Sequence, residues 1–331
     1  MSIPDSFQSV LAPDLRCYIA LKQVLGCRFE TSAKILFELD DFLWRLGKPP
    51  ADLTPETFQK WCQTLERVSS NTKLARMRVV RHFCLYRRRT FSNCFVPDTT
   101  QFPKSCPVVR PYIFSKDDVA RLLGHCDELP GSLLRRATTR LALVLLYTTG
   151  LRRGELLRLT LQDYDQHAQT LLVQASKFHK SRLLPLPGDV VKEVERFIRV
   201  RRTVRPTLSA TAPLFWSPCG NGVAYSAHQV AENLHTLFDL AGIKKPDGRR
   251  PRVHDFRHSL AVNALIRWYQ AGIDVQAKLP LLATWLGHVS ILSTYHYLHS
   301  VEGLRSMANR RFMGSYGELV VPLSARKGGD R

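Results

Sequence analysis

The chain has 331 residues, enough for two domains with a sizeable core in the larger one. Its 48 Lys and Arg residues outnumber 28 Asp and Glu, and the resulting net charge of +20 favours a polyanionic partner, of which nucleic acid is the usual one. A membrane surface is the competing partner, but the N-terminus has no apolar signal region and the longest apolar run, 141–147, is too short to cross a bilayer, so we expect a soluble cytoplasmic protein.

Two helices are predicted near the N-terminus. The first, within 30–47, ends at Gly47 and carries apolar residues at helical spacing: Ile35, Leu36, Leu39, Phe42, Leu43 and Leu46. The second begins where Thr54 offers an N-cap and Pro55 the first helical position. Its apolar stripe consists of Phe58, Trp61, Cys62 and Leu65.

A third predicted helix, within 71–90, is strongly basic. Between residues 73 and 89 it has no acidic residue and seven basic ones: Lys73, Arg76, Arg78, Arg81, Arg87, Arg88 and Arg89. Leu74, Met77, Val80 and Cys84 can face a core while the basic residues face outward. A solvated helix face usually mixes Glu with Lys to relieve repulsion, so this composition favours a helix that contacts phosphates over one that is merely solvated.

A proline-rich segment then separates two parts of the chain. It reads as an interdomain linker, and a new helix is predicted at Ser115, with Asp118 completing a variant of the capping box. We expect a helical domain at 1–95, a linker at 96–112, a second domain at 113–315 and a C-terminal tail at 316–331, with disorder at 323–331.

The second domain mixes helices with a hairpin. Helices are predicted at 136–150, from Gly154, at 190–200 and at 226–242, and the segment 169–186 reads as strand, polar turn, strand. The expected fold is therefore mostly α with a small β-sheet, preceded by an all-helical domain. No nucleotide phosphate loop is present in the sequence.

The eight cysteines form no metal-binding pattern. They show no CxxC pair and no histidine at ligand spacing, and most lie among apolar residues. Buried free thiols are favoured over a zinc site or a disulfide framework, and we expect neither metal nor cofactor.

Four motifs stand in a suggestive order along the second domain: TGLRRGELLRL (149–159), SKFHKSRLLPL (176–186), HDFRH (254–258) and LGHVSILSTYHYLH (286–299). Each is weak alone, since a helix-ending Gly-x-Arg, a turn lysine or a core histidine is common. Together they resemble the tyrosine recombinase (phage integrase) family over about residues 115–312. The basic helical domain in front is similar, more loosely, to the family's core-binding domain.

The resemblance implies a set of active-site residues. The catalytic residues would be Arg152, Lys177, His254, Arg257, His288 and Tyr297, with Glu155 steadying Arg152. The nearby Arg153, Lys180 and Tyr295 stand at the wrong offsets, and His258 is more in keeping with a structural role.

The chemistry fits these residue types. Two guanidiniums can bind the non-bridging oxygens of a phosphodiester and stabilise the charge of its transition state. Tyr297 would attack with His254 as base, His288 would donate to the phosphate, and Lys177 would protonate the leaving 5′-oxygen. A phosphotyrosyl ester conserves the bond energy, so neither ATP nor metal is needed.

The resemblance also implies partners. The family acts on duplex DNA as a tetramer and exchanges strands through a 3′-phosphotyrosine and a Holliday junction. We expect integration, excision or transposition of a mobile element, in a bacterial cytoplasm at the nucleoid, with sister recombinases as conceivable partners. The segment 301–312 is expected to form a helix that packs either on a neighbouring protomer or on its own domain.

One interval departs from the family pattern. His254 and His288 are 34 residues apart, longer than is usual. The intervening apolar residues predict an extra buried helical turn or a loop: Trp268, Leu279, Leu281, Leu282 and Trp285. This form resembles recombinases carried by transposons.

Two alternatives remain open at the level of sequence. A resolvase-like or type IB topoisomerase-like strand transferase would share the active site. A DNA-binding accessory protein with a silent active site would not form a covalent protein–DNA adduct, and that observation separates it from the enzymes.

Overall fold

The structure is a computed structural model. It describes the following residues, to which every structural statement below refers: 7–27, 29–47, 52–106, 110–174, 181–207, 209–217, 224–288, 290–294 and 297. The chain divides into two compact units, Met1–Val109 and Arg110–Arg331. The assignment of a DNA-binding and a catalytic domain to these units stays a prediction.

The first unit is a helical bundle with its own apolar core. Its helices are α1 (Ala12–Val24), α2 (Glu30–Arg45), α3 (Pro55–Gln63) and α4 (Ser70–Arg87), followed by a short 3-10 helix, Thr99–Gln101. As predicted, Thr54 caps α3, and its hydroxyl accepts a hydrogen bond from the Thr57 amide at 3.2 Å. Helix α1 was not predicted, because its apolar residues show little amphipathic contrast.

The remaining α-helices and the strands belong to the second unit. These are α5 (Lys116–Gly124), α6 (Leu133–Thr149), α7 (Arg153–Arg158), β1 (Tyr164–Asp165), β2 (Thr170–Val173), β3 (Arg182–Pro185), α8 (Gly188–Val204), α9 (Ala227–Leu240), α10 (Asp255–Gln270) and α11 (Val275–Leu286). The apolar run 141–147 lies in α6, which packs on α8 and α10. Its residues from 141 to 146 are buried, so the run forms the centre of the core.

The sheet is small and antiparallel, with strand order β1-β2-β3. Leu171 on β2 pairs with Leu184 on β3, and both side chains are buried. The prediction of a mostly helical fold with a small sheet is confirmed. Strand β1 was not predicted, since two residues are too few to show a period.

The long interval between His254 and His288 is built from two helices. Helix α10 ends near Gly272 and Asp274 then caps α11 with bonds to two backbone amides. Leu279 and Leu282 pack into a small core between the helices, as expected of buried residues. The expectation that Leu281 is buried is wrong: it is 57% exposed, because it lies on the outer face of α11.

The prediction that the cysteines are buried holds only in part. Cys84 and Cys126 are buried, and burial raises the pKa of their thiols to about 12 and about 11. Cys17, Cys27 and Cys106 are exposed, so burial does not hold for most of the described thiols. Part of the linker is packed: Val96 and Phe102 lie against the core of the first unit.

No helix in the described part of the chain is long and apolar enough to span a membrane.

Candidate active site

The site is built around two helix ends. Helix α6 ends at Gly150 and α11 at Gly287, with φ of 64° and 65°. Only glycine adopts this conformation without strain, and a Cβ at Gly150 would also lie 2.7 Å from Leu260 Cδ2. A helix end leaves backbone carbonyls unpaired and carries partial negative charge, so both ends can bind cations.

Two arginines donate hydrogen bonds to backbone carbonyls at these helix ends. Arg257, only 1% exposed, donates from Nη1 to Gly150 O (2.8 Å) and from Nη2 to Leu286 O (2.5 Å). Arg152 donates from Nη2 to Gly287 O at 3.2 Å. Backbone atoms of two helix ends therefore orient the two guanidiniums that the sequence singled out, although 105 residues separate them in the chain.

A buried carboxylate joins Arg152 to a third arginine. Glu155 Oε1 accepts from Arg152 Nη1 at 2.7 Å, and Glu155 Oε2 accepts from Arg182 Nη2 at 2.9 Å. Burial alone would raise the pKa of Glu155, but the hydrogen bonds and charges of Arg182 and Arg152 lower it to about 2. Glu155 is therefore ionised, as its expected role beside Arg152 requires.

The site carries more positive than negative charge. Among the described residues, the guanidiniums of Arg152, Arg182 and Arg257 lie around the carboxylate of Glu155. Burial and the nearby Arg152 lower the pKa of Arg257 to about 10, which leaves it protonated at neutral pH. An anion that enters the site would relieve this repulsion.

Tyr297 lies beside Arg257. The phenol is 4% exposed and lies close enough to the Arg257 guanidinium for that charge to act on its pKa. Its ring centroid is 5.3 Å from that of His258, edge-on, and 6.1 Å from that of His288, nearly parallel. Burial raises the pKa of Tyr297, whereas Arg257 and Arg152 oppose the rise, so the hydroxyl is protonated at neutral pH.

His254 and His288 are both neutral at physiological pH. His254 lies just before α10, and its ring centroid is 4.8 Å from that of His258. The residue is exposed overall, yet partial desolvation of its ring and then Arg257 lower its pKa. Burial, then Arg257 and Arg152, lower the pKa of His288 to about 4. A neutral imidazole can accept a proton or donate a hydrogen bond.

Sequence reasoning missed the residue that holds His288. The fully buried Thr294 places its hydroxyl 2.7 Å from His288 Nδ1. This hydrogen bond fixes the ring and leaves Nε2 as the nitrogen available to a ligand. The one signal in the sequence is that Thr294 stands three residues before Tyr297.

Asp255 was also missed, although it lies inside the HDFRH motif. Its carboxylate is fully buried, accepts from the Arg252 backbone and side chain at 2.8–3.1 Å, and lies 3.4 Å from Lys245 Nζ. These contacts tie the basic loop 244–252 to the start of α10, directly beside His254. The sequence alone does not show that Asp255 is buried, because polar residues next to it in the motif are of the same type whether they are buried or exposed.

The structure brings six of the sequence-predicted residues into one site: Arg152, Glu155, His254, Arg257, His288 and Tyr297. Lys177 lies outside the described residues, as do Tyr295 and the segment 301–312. Arg153 is exposed. The catalytic roles of these residues stay predictions.

Several basic side chains of helix α4 are already bound within the protein, so fewer of them are available to contact DNA than the composition of the helix indicated. Arg76 pairs with Glu38 at 2.6 Å, and Arg81 donates to the Pro97 carbonyl. These acceptors lie on other segments, so the absence of acidic residues within α4 does not mean that its charge is uncompensated.

Arg87 is likewise engaged, with Asp14 at 2.7 Å and Asp52 at 3.1 Å. Arg78, Arg88 and Arg89 are exposed, and Lys73 is half-buried.

The chain is similar to known recombinases along most of its length. Residues 113–303 match the family described as the phage integrase family. The putative integrase/recombinase y4rB of Sinorhizobium fredii is 32% identical over 299 residues, which cover 89% of this chain and 94% of that protein. Tyrosine recombinase XerD of Mycobacterium tuberculosis is 32% identical over 201 residues, 60% of each chain.

Solved structures share the fold. The Tn1549 transposon integrase in complex with circular intermediate DNA has a TM-score of 0.63 at 17% identity, with 90% of this chain and 99% of that chain covered. XerH site-specific recombinase bound to its difH substrate has a TM-score of 0.61 at 19% identity, with 85% and 79% covered. The family match spans more than half of the chain and the y4rB relative nearly all of it, so the chain belongs to the phage integrase family of tyrosine-type site-specific recombinases.

Proposed function

We propose that this protein cleaves and rejoins duplex DNA through a covalent 3′-phosphotyrosine bond to Tyr297. The observation that carries the proposal is the placement of the buried Tyr297 phenol near the charge of Arg257 and against the ring of His288, in the same site as Arg152. The nucleophile thereby lies beside the group best placed to bind the phosphate that it attacks.

The charge of the site suits a phosphodiester. A diester carries one negative charge, and its pentacoordinate transition state carries two. Arg152, Arg182 and Arg257 together exceed Glu155 by two positive charges, which matches the transition state better than the ground state. Their backbone and carboxylate partners fix the guanidiniums in advance, so little reorganisation is needed during the reaction.

The histidines and the hairpin lysine divide the proton transfers. Tyr297 is protonated before attack and needs a base, and the neutral His254 can take its proton. In the tautomer that we propose, His288 Nδ1 accepts from the Thr294 hydroxyl, and the proton on Nε2 is donated to a phosphate oxygen. Lys177 then protonates the leaving 5′-oxygen.

The same proposal extends to partners and biological role. Duplex DNA is the substrate; Arg78, Arg88 and Arg89 contact its backbone, and a homotetramer exchanges strands through a Holliday junction. Movement of a mobile element is supported by the names of similar proteins, an integrase/recombinase and a transposon integrase. Sister recombinases are candidate members of the tetramer.

Covalent capture tests the proposal. The wild type, Tyr297→Phe and Tyr295→Phe are incubated in EDTA with nicked duplexes tiled across the DNA that flanks the gene, then separated on denaturing gels. A nick next to the scissile bond lets the short fragment with the free 5′-hydroxyl diffuse away after cleavage. Rejoining is then prevented, and the covalent adduct accumulates. We expect an adduct with the wild type and Tyr295→Phe, and none with Tyr297→Phe.

Two outcomes would contradict this reasoning. An adduct that persists in Tyr297→Phe and disappears in Tyr295→Phe would identify the other tyrosine as nucleophile. Specific DNA binding without any adduct on any duplex would favour an accessory protein with a silent site. Binding by Tyr297→Phe is measured alongside, because the variant should retain the wild-type affinity for duplex DNA.

A further inference from the structure

We propose that Arg182 is a positioning residue for strand transfer: it neutralises Glu155 and locks the turn at Gly287, and through both it aims Arg152 at the scissile phosphate. This inference rests on the proposed function and adds to it a residue outside the set expected from the sequence motifs. Arg182 is the first residue of β3, and its side chain is 7% exposed.

The first contact is a two-pronged ion pair. Arg182 Nη2 donates to Glu155 Oε2 at 2.9 Å and Nη1 to Oε1 at 3.4 Å. The same two oxygens accept from Arg152, from its Nη1 at 2.7 Å and its backbone N–H at 3.0 Å. Without Arg182 the full charge of a buried carboxylate would fall on Arg152, and would compete with the substrate phosphate for that guanidinium.

The second contact is steric. A Cβ built at Gly287 would lie 2.6 Å from Arg182 Nη1 and 3.1 Å from its Cζ, so the guanidinium fills the space that a side chain would otherwise take. Gly287 O is the second acceptor for Arg152, and His288 follows directly. Arg182 thus touches both groups that orient Arg152, and it backs the turn that presents His288.

The position of Arg182 in the chain extends this link to the hairpin. Arg182 on β3 pairs with Val173 on β2, at the ends of the two strands that residues 174–181 connect along the chain. At the opposite stem, Gln174 Nε2 donates to Asp163 Oδ1 at 2.5 Å. Both stems of the segment are therefore anchored to buried carboxylates, and the anchor at β3 is the one that also holds Arg152.

The experiment compares two scissile linkages. Initial rates of adduct formation are measured on nicked duplexes with either a phosphodiester or a neutral methylphosphonate at the cleaved position. A methylphosphonate lacks the charge that the arginines bind, so loss of cationic positioning should matter little there, whereas a damaged fold would slow both linkages alike.

Arg182→Gln is expected to slow cleavage of the phosphodiester by about 10- to 100-fold, in line with the cost of misplacing a binding group. On the methylphosphonate duplex, the same variant should change the rate of adduct formation by no more than about threefold, which is well below a tenfold change. Arg199→Gln, at an exposed position on α8, removes the same charge and should leave both rates unchanged. In a Glu155→Gln background, Arg182→Gln should cost less than it does alone, because no carboxylate is left to neutralise.

Arg182→Lys covers the case in which Arg182→Gln does not fold. It keeps the charge and loses the two-pronged contact, and should show the same selective slowing to a smaller extent. Equal slowing of both linkages, or no slowing by either variant, would overturn the inference. If the wild type forms no adduct, the proposed function fails instead, so the two failures are distinguishable.

Discussion

Replacing Gly287 with alanine should measure how tightly the turn before His288 is packed. The residue has φ of 65°, a conformation that costs an L-residue roughly 1 kcal/mol. The added methyl would lie 2.6 Å from Arg182 Nη1, far inside ordinary carbon contact distance. Arg182 cannot swing away freely because it is bound to Glu155, so we add about 2 kcal/mol for overpacking.

A second glycine supplies the matched control. Gly242 has φ of 66°, and a Cβ added there would meet nothing within 4 Å, so Gly242→Ala carries the backbone cost without the clash. In thermal unfolding of the full chain, a domain of this size should lose about 2–4 °C with Gly242→Ala and about 6–12 °C with Gly287→Ala.

A double variant locates the clash. When Arg182→Gln shortens the side chain that the methyl meets, the additional cost of Gly287→Ala should fall to that of Gly242→Ala. Equal losses for Gly287→Ala and Gly242→Ala in the otherwise wild-type chain would refute the reasoning, because they would mean that the turn has room for a side chain. Persistence of the full cost in the Arg182→Gln background would place the strain elsewhere.

Three further predictions concern acid, an ion pair and salt. The folded-state pKa of His288, about 4, is below the ordinary histidine value of about 6.5, so its stabilising contribution is complete above the latter pH and is lost as pH falls towards 4. The melting-temperature difference between wild type and His288→Gln should therefore decrease from pH 7 to pH 4, and a constant difference would contradict the shift. In the first unit, Arg87→Gln should lower stability by about 1–3 kcal/mol, because Arg87 is bound to two carboxylates. Arg78 is exposed, so Arg78→Gln should leave stability unchanged. The same variant should reduce the slope of log affinity for DNA against log salt concentration by about one. An unchanged slope would exclude a phosphate contact by Arg78.

Local patterns were enough to predict most of the helices that the structure describes. Helix α3 was predicted from Thr54 and Pro55, and α6 from a long apolar run that stops at Gly150, because caps and glycine ends are decided by a few neighbouring residues. The motif order then identified Arg152, Glu155, Arg257 and the other expected site residues. The proposed phosphodiester chemistry requires those residue types, so they can be recognised in the sequence.

Partnerships between distant residues were decided only by the tertiary structure. Arg182 lies 27 residues from Glu155, and nothing in its own segment indicates a buried guanidinium. The pairing of Arg87 with Asp14 and Asp52 likewise joins residues from three segments, which is why a helix with no acidic residue of its own is partly neutralised. Sequence determined which groups are available for the chemistry; long-range packing determined which of them are already bound, since charge compensation depends on distance in space and not along the chain.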